Sequence, residues 1–383
     1  MLRTLAVLVT LIGVSTATAA PKPKPVDPPA PGAIDAAIGR GIDFLLESQN
    51  ADGSWGSPHN TKGLNIYAPV PGAHHAFHTA VTAMCISALI EADSEREGAA
   101  TALDRAEPWL LEHVPKLRRA TPAALYNNWG HAYAIQALAR MLERHSDDAA
   151  RREKILETIQ QQVGMLERFE CVGGGWAYYD MELGTKKPFG PSVCFLTGTV
   201  LIALDEARRV GVEVPERLVE RGKASIERQR KPDASYCYSE QLRKFPMYGI
   251  NRPAGSLGRS QVCNLALRRW GDKRADDELL ATWLDRLYAR NLWLDLGRKR
   301  PVPHESWFAV AGYFFYYGHY YGALCIEELP EHRRQPYRNW LAAVLLPLQE
   351  KDGSWWDFPL YNYHKPYGTA FAVMSLVRAR APQ

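Results

Sequence analysis

Hydrophobic residues recur with helical spacing in several separate segments of the chain. One apolar stripe comprises Ile34, Ile38, Ile42 and Leu45, and residues 337–348 carry a similar stripe. Residues three or four positions apart face the same side of a helix, so these segments are predicted to be amphipathic helices. Six such outer helices are predicted, near residues 34–49, 97–117, 148–168, 215–230, 276–293 and 333–349.

A second kind of helical segment, richer in small residues, follows each of these. The first runs through Thr82-Ala83 to Ala88-Leu89, and the others carry a Leu in the corresponding place, at Leu138, Leu204, Leu267, Leu324 and Leu376. Small apolar helices can pack on both flanks, which predicts six inner helices. Helical pairs that each leave an apolar face must bury it on a neighbour. Because six pairs in series can close into a ring, residues 34–383 are predicted to form one all-α domain, an (α/α)6 toroid.

One phrase ends both the first and the last outer helix. It reads Gln-x-x-x-Gly-x-Trp at residues 49–55 and again at 349–355, and a weaker copy ends at Trp176. With the paired helices, these phrases make the chain similar to the terpenoid-cyclase and protein-prenyltransferase toroid superfamily, especially its squalene-cyclase-type repeat proteins. The resemblance implies that the glutamine caps a neighbouring helix end and the tryptophan stacks over it. A Gln can satisfy orphan amide donors, and Gly permits the tight turn. The residues given this structural role are Gln49, Trp55, Trp176, Gln349 and Trp355.

The N-terminal residues have the pattern of an export signal. Arg3 precedes an apolar run over residues 5–14, and the small residues that follow end in Ala17-Thr18-Ala19. We therefore predict cleavage after Ala19 and a secreted or periplasmic protein, the alternative being an uncleaved anchor. Residues 20–33 hold six prolines and are predicted to be an extended linker. No segment reaches the ~18 apolar residues of a spanning helix, so no membrane span is expected after cleavage.

Composition and charge narrow the possible partners. The chain is 46% hydrophobic and 23% charged, as in globular proteins, and its net charge is +4 without a basic run. A nucleic-acid partner is therefore not expected. Four of the six cysteines lie in inner helices, where a free thiol acts as a small apolar group. Cys171 and Cys237, in equivalent loops of adjacent repeats, are the one disulfide candidate.

The chemistry of the resembled families is missing from the sequence. The Asp-x-Asp-Asp acid of class II cyclases, the Asp-x-Cys zinc pair of prenyltransferases and the Cys-Gly-Glu-Gln thioester of complement-type toroids do not occur. The nearest acidic string, residues 275–278, is predicted to start an outer helix and complement its dipole. Class II cyclases also resemble two toroids in tandem, whereas the length of this chain is sufficient for only one. No cofactor is expected.

The N-terminal ends of the inner helices are predicted to meet around the axis of the ring. Unsatisfied N–H groups and helix dipoles make such an end attractive to anions, although a solvated polar rim is the alternative. The three histidines there suggest a metal, but no acid or Cys stands close enough to complete a set, and none is predicted. The predicted ligand-binding residues are His74, His75, His78, Arg252, Arg259, Glu305, Trp307, Lys365 and Tyr367.

His131 occupies the slot that Thr82, Thr197 and Thr369 hold in other repeats and is predicted to face the axis. With Asn128 and Tyr133 it groups a base, an amide and a phenol. These residue types resemble those of α/α-toroid polysaccharide lyases, in which a His or Tyr removes a proton next to a neutralised carboxylate. Arg252 or Arg259 would neutralise that carboxylate. The alternative is that His131 only packs and hydrogen-bonds.

Three functions follow from these patterns. The first is binding of an apolar or anionic ligand, such as a lipid, an isoprenoid or an acidic saccharide, in the central cavity. Rings at Tyr313, Tyr317 and Tyr320 share one helix face and are predicted to line that cavity. The second function is an enzyme that cleaves acidic polysaccharide by β-elimination. The third is a non-catalytic scaffold that binds a protein partner.

Overall fold

The structure, a computed structural model, describes residues 21–61, 71–93, 96–180, 186–304 and 309–380. The predicted signal peptide lies outside these residues, so cleavage and export stay predictions. Residues 21–30 carry no helix or strand, as the proline-rich sequence of the predicted linker implies. No described helix is long and apolar enough to cross a bilayer.

The helices of the described chain form two concentric layers. The outer layer contains α1 (Ala33–Glu47), α3 (Ala99–His113), α5 (Ala149–Arg168), α7 (Glu216–Gln229), α9 (Asp277–Ala289) and α12 (Glu331–Leu345). The inner layer contains α2 (Pro71–Asp93), α4 (Asn127–Arg144), α6 (Cys194–Arg209), α8 (Leu257–Arg269), α11 (Phe315–Glu328) and α13 (His364–Ala379). One short helix, α10 (Asn291–Asp295), lies in the connection after α9.

The inner helices close into a ring. Each of them packs on the next one along the chain, and α13 packs back on α2. Each outer helix packs on an adjacent inner helix, with α1 lying against α13. The predicted all-α toroid of six inner and six outer helices is therefore confirmed. The acidic string at 275–278 starts α9 as predicted, where the Asp276 carboxylate accepts the N–H of Leu279 at 2.8 Å.

Three tryptophans tie an outer helix to the inner helix that follows it. The indole N–H of Trp55, Trp176 and Trp355 donates to the carbonyl ten residues earlier, at 2.7–2.9 Å. That carbonyl lies near the end of the outer helix, where carbonyls lack helical partners. The backbone N–H of each tryptophan donates to an inner-helix threonine hydroxyl, from Thr82, Thr197 and Thr369 respectively. The threonine slot therefore faces outward, toward these loops, and not toward the axis.

The glutamines of the repeated phrase join neighbouring outer helices. The Gln49 amide donates to the carbonyl of Ala102 on α3 at 2.8 Å, and the Gln349 amide donates to Ala37 on α1 at 2.9 Å. The expectation that these side chains satisfy orphan amide donors is wrong, because their oxygens accept from the guanidinium groups of Arg105 and Arg40 instead. The Gln349 contact links the last outer helix to the first and closes the outer layer.

The glycine of the phrase is required by a close approach of backbones. Gly53 has φ of +92°, and a Cβ atom there would lie 2.5 Å from the carbonyl oxygen of Arg105. Gly353 has φ of +82° and would meet the carbonyl oxygen of Arg40 at 2.3 Å. Any side chain at either position would push the neighbouring outer helix away.

Ion pairs close the ring at the C-terminal ends of the inner helices. Arg140 on α4 lies 2.5 Å from Glu91 on α2 and 2.8 Å from Glu206 on α6. Arg269 on α8 continues from Glu206 to Glu328 on α11, at 3.8 and 3.1 Å. The circuit is completed by Arg378 on α13, which pairs with Glu327 on α11 and with Glu91. We call these seven side chains the ionic ring.

Mutual pairing keeps the ionic ring charged although it is largely buried. Burial alone would raise the pKa of the Glu91 carboxyl, but the guanidinium groups of Arg378 and Arg140 outweigh burial and hold this pKa at about 2. The three arginines also lie where the helix dipoles end in unsatisfied carbonyls, which favours cations.

Candidate ligand-binding cavity

A cavity of about 320 Å³ opens on the ring axis near the N-terminal ends of the inner helices. Five inner helices and the loops that precede them supply its walls, which are almost wholly apolar. Its size falls at the small end of ligand-binding pockets, which span ~300–1,000 Å³. The lining residues include Phe77, Met84, Tyr126, Trp129, Tyr133, Tyr178, Tyr179, Phe195, His304, Tyr313, Phe314, Tyr317, Phe358, Tyr367 and Phe371.

The phenol groups of the walls bond to the protein itself. Tyr317 donates to the carbonyl of Phe195 at 2.9 Å, and Tyr126 pairs with the hydroxyl of Tyr179. Tyr178 pairs in the same way with Tyr238 behind the wall. A tyrosine whose hydroxyl is already satisfied offers the cavity the apolar part of its ring. The cavity is therefore less polar than its count of tyrosines suggests.

His304 joins this wall as a neutral imidazole. Its Nδ1–H donates to the carbonyl of Ala309 at 2.7 Å, which leaves Nε2 to accept the Tyr313 hydroxyl at 2.9 Å. Burial lowers the pKa of His304, which favours the neutral ring. Both ring nitrogens of His304 are therefore engaged in hydrogen bonds within the wall.

The aromatic rings of the wall hold one another in place. Phe195 meets Phe314 edge to face, with ring centroids 5.0 Å apart, and meets Tyr317 at 6.2 Å. Across the ring, Phe371 contacts Tyr133 at 6.0 Å and Tyr317 at 6.2 Å. Edge-to-face contacts add to the energy of burial and fix ring orientation. The hollow is thus framed by a network of rings from α4, α6, α11 and α13.

One carboxyl group lies directly behind the wall. Asp357 is fully buried, and its two oxygens accept the hydroxyl of Tyr367 and, at 3.0 Å, the backbone N–H of Tyr316. Burial raises the pKa of Asp357 to about 7, although both hydrogen bonds oppose that rise. Tyr367 lines the cavity. This pair reaches the hollow through the ring of Tyr367.

His131 faces the outer layer. It is fully buried, its Nδ1–H donates to the side-chain oxygen of Gln162 on α5 at 2.7 Å, and its ring stacks near Phe169. The expectation that His131 faces the axis is wrong, because the slot that it shares with Thr82 and Thr197 points outward. Burial lowers its pKa to about 4, so the ring is neutral.

Asn128 and Tyr133, the two residues grouped with His131, lie apart: Asn128 is outside the cavity and Tyr133 lines it. Asn128 is buried, and its amide donates to the carbonyl of Ala177 at 2.8 Å, outside the cavity. Tyr133 does line the cavity, but burial, with the hydroxyls of Tyr321 and Tyr317 nearby, raises its pKa well above the usual value. The structure therefore does not bring His131, Asn128 and Tyr133 together around one space.

The predicted cations do not converge on the cavity either. Arg259 is fully buried and donates to the carbonyls of Gly255 and Ile250, both at 2.7 Å, while stacking behind the ring of Phe314. Arg252 donates to the carbonyl of Met247 on an exposed turn, and Lys365 pairs with Asp352. The expected electropositive pocket is not found among the described residues, because carbonyls and carboxylates outside the cavity engage these cations.

The three N-terminal histidines line a separate hollow. His74, His75 and His78 gather there with Asp52 and Trp109. His78 bonds to the Ser54 hydroxyl at 2.7 Å, and burial lowers its pKa to about 4. Although these side chains line one hollow, no group of three His, Cys, Asp or Glu residues in the described part of the chain is arranged so that it could hold a metal ion. Glu305 and Trp307, the other two predicted residues of the mouth, lie outside the described residues.

The disulfide candidate is not formed. Cys171 and Cys237 are both free, buried thiols. Burial raises the pKa of each, as expected for uncharged thiols within a packed region.

Several residues that form or support the cavity were not predicted from the sequence. Asp357 carries no recognised motif, yet it is a single acid between Trp356 and Phe358, and an acid among aromatic residues indicates a buried carboxyl. The rings of Phe195 and Phe371 are spread over distant helices, so only the closed ring brings them together. Of the predicted aromatic face, Tyr313 and Tyr317 line the cavity and Tyr320 does not.

Comparison with known proteins agrees with this architecture. No protein-family model and no curated protein sequence matches the chain. Among solved structures, a type II terpene cyclase from Scytonema aligns with a TM-score of 0.51 and 15% identity, covering 92% of this chain and 99% of that one. An unsaturated glucuronyl hydrolase specific for heparin aligns at 0.58 and 11%, covering 91% and 96%. The α-1,6-mannanase GH76A of Salegentibacter sp. HEL1_6 aligns at 0.54 and 11%, covering 90% and 98%.

These similarities establish the fold. This chain aligns with 99% of the terpene cyclase, so the layout of two tandem toroids expected for class II cyclases does not hold for this neighbour. The glucuronyl hydrolase and the mannanase show that saccharide enzymes align equally well with the same rings of helices. The chain is an α/α-toroid protein, and the walls of its own cavity have to distinguish among the activities that such toroids carry.

Proposed function

We propose that the protein binds an apolar small molecule, of the size and character of a short isoprenoid or alicyclic lipid, in its central cavity. The observation that supports this proposal is the wall, in which ring faces and methyl groups line about 320 Å³ while the phenol groups bond away from the space. Burial of apolar surface in such a cavity drives binding without any charged contact. The similarity to a type II terpene cyclase is consistent with a ligand of this class.

An acidic saccharide fits these walls poorly. A saccharide has many hydroxyl groups, and each would lose its hydrogen bonds to water without a partner in the cavity. Arg259, the proposed clamp for its carboxylate, lies behind the ring of Phe314 and has its guanidinium engaged by carbonyl oxygens. The binding role therefore takes precedence over the lyase role.

The binding proposal is tested with a neutral apolar fluorophore, N-phenyl-1-naphthylamine. We expect saturable binding with enhanced fluorescence, and competition by farnesol but not by glucuronate. Ala80 lines the cavity, so Ala80→Phe should fill part of the space and weaken binding at least about tenfold.

The same substitution on the outside of the toroid provides the matched control. Ala150 lies exposed in the first turn of α5, so Ala150→Phe adds the same ring far from the cavity. It should leave binding unchanged. Equal loss in both variants, or displacement of the fluorophore by glucuronate, would contradict the proposal.

A further inference from the structure

The exposed apolar residues of the described chain are concentrated at one end of the toroid. Nine large apolar side chains are strongly exposed, and all nine lie in three neighbouring connections that lead from an outer helix to the next inner helix. Those connections join α5 to α6, α7 to α8 and α9 to α11. They therefore surround half of the end at which the cavity opens.

Seven of the nine form a surface that we call the apolar rim, comprising residues 243–252 and 290–302. Its side chains expose 40–77% of their surface. The two segments are neighbours, because α10 packs on the turn Ala254–Ser256 that follows the first segment. The largest exposed side chains are Phe245, Met247, Tyr248, Leu292, Trp293 and Leu296. Large apolar side chains exposed together on neighbouring segments mark a site of interaction.

The charge of the apolar rim indicates what it contacts. Residues 243–252 contain three Arg or Lys and no acid, and residues 290–302 contain four against the single Asp295. The two segments thus sum to +6, whereas the whole chain has +4, and Glu350 outside the rim pairs with one of these cations, Lys299. Arg243 and Lys244 are exposed, and neither has a carboxylate within ion-pair distance among the described residues. Basic and large apolar side chains interleaved on one face are typical of proteins that lie on anionic membranes.

The apolar rim is also continuous with the cavity. Val302, an exposed member of the rim, is followed directly by Pro303 and His304, which line the cavity. We propose that the rim docks the protein onto an anionic lipid surface, with the opening of the cavity turned toward the lipid. Passage of a ligand from the lipid into the cavity would rest on the proposed function, whereas docking itself does not.

Docking is measured by sedimentation with vesicles of phosphatidylcholine and phosphatidylglycerol, without added ligand. The full chain should bind at least tenfold more tightly to these vesicles than to phosphatidylcholine alone. The double variant Phe245→Ser, Leu292→Ser and the double variant Arg243→Glu, Lys244→Glu should each lose at least tenfold. All variants share the same N-terminal residues, so differences between them report on the rim.

A matched charge control separates the rim from net charge. Lys273 and Lys351 are exposed residues outside the rim, so Lys273→Glu, Lys351→Glu makes the same change in net charge there. This control should bind vesicles like the parent. Equal loss in the control, full binding by the rim variants, or self-association of the parent that Leu292→Ser abolishes would overturn the proposal. Unchanged fluorophore binding by the rim variants would show that the cavity function stands independently of the outcome.

Discussion

The two ends of the inner ring differ in the side chains that surround the axis. At the C-terminal ends, Arg140, Arg269 and Arg378 connect acids from neighbouring helices and close the centre with charge. At the N-terminal ends, rings such as Phe195 and Phe371 frame a hollow without filling it. Helices that converge must either pair their polar groups or leave apolar space. The difference places paired charges at the closed end and the proposed ligand-binding cavity at the open end.

The largest expected effect is at the closed end. Arg140→Met leaves Glu91 and Glu206 without their shared guanidinium. Removal of one partner of a buried ion pair costs roughly 3–5 kcal/mol, so urea unfolding should show a loss of that size. Fluorophore binding by the folded variant should be unchanged, because Arg140 does not line the cavity.

An exposed ion pair supplies the control for this variant. Arg333 pairs with Glu278, whose side chain is 80% exposed. Arg333→Met should therefore cost less than about 1 kcal/mol. Equal losses in the two variants would show that the ionic ring is not a special element of the fold.

The next effect concerns Asp357 at the open end. The folded protein keeps this carboxyl protonated up to about pH 7, whereas the unfolded chain releases the proton near its ordinary pKa of 3.8. The folded state therefore binds more protons between these values, and the free energy of unfolding that Asp357 contributes falls as the pH rises from about 4 to about 7. Asp357→Asn removes this contribution.

The measurement is the difference in unfolding free energy between parent and Asp357→Asn. We expect the parent's advantage to shrink by on the order of 2–4 kcal/mol between pH 4.5 and 7.5, since one pKa unit corresponds to about 1.4 kcal/mol. Buried histidines such as His131 and His319, whose pKa values burial lowers to about 4, act in the opposite direction in both proteins and cancel. Parallel pH profiles would contradict the assignment.

A smaller effect is expected where the open end is tied to the outer layer. Thr369→Val removes the hydroxyl that accepts the backbone N–H of Trp355. An unsatisfied buried donor lowers the free energy of unfolding by about 1–3 kcal/mol. Urea unfolding of the variant and the parent measures this loss. Thr369→Ser keeps the acceptor and should retain most of the stability. If both variants lose the same amount, the methyl group rather than the hydrogen bond is responsible.

The smallest effect is expected from Tyr133→Phe. The hydroxyl of Tyr133 interacts with Tyr321, which does not line the cavity, and the ring of Tyr133 faces the cavity. Binding of the fluorophore should be unchanged, because the variant keeps the apolar ring. A polyuronate-cleaving activity that the parent possesses and Tyr133→Phe lacks would instead support the lyase hypothesis.

The sequence predicted the ring of helices more fully than the site. Apolar spacing and the repeated Gln-x-x-x-Gly-x-Trp phrase determine which segments are helical and how they pair, because each helix has to bury its own stripe. The orientation of His131 was not predictable in this way, because a slot shared with threonines does not tell whether it faces in or out. Arg259 donates to backbone carbonyls that turns of the chain bring close to it. No pattern of side chains in the sequence indicates such partners. A cation that lies near a helix N-terminus in the sequence therefore need not have its charge in the cavity.

Diffraction from crystals of the protein pressurised with xenon would show directly whether the axial cavity is apolar and free of water. Xenon enters apolar cavities that water leaves empty. We expect one or more xenon sites on the ring axis between Phe195, Tyr317 and Phe371, and none in Ala80→Phe. A chain of ordered waters in that space, with no xenon, would contradict this expectation.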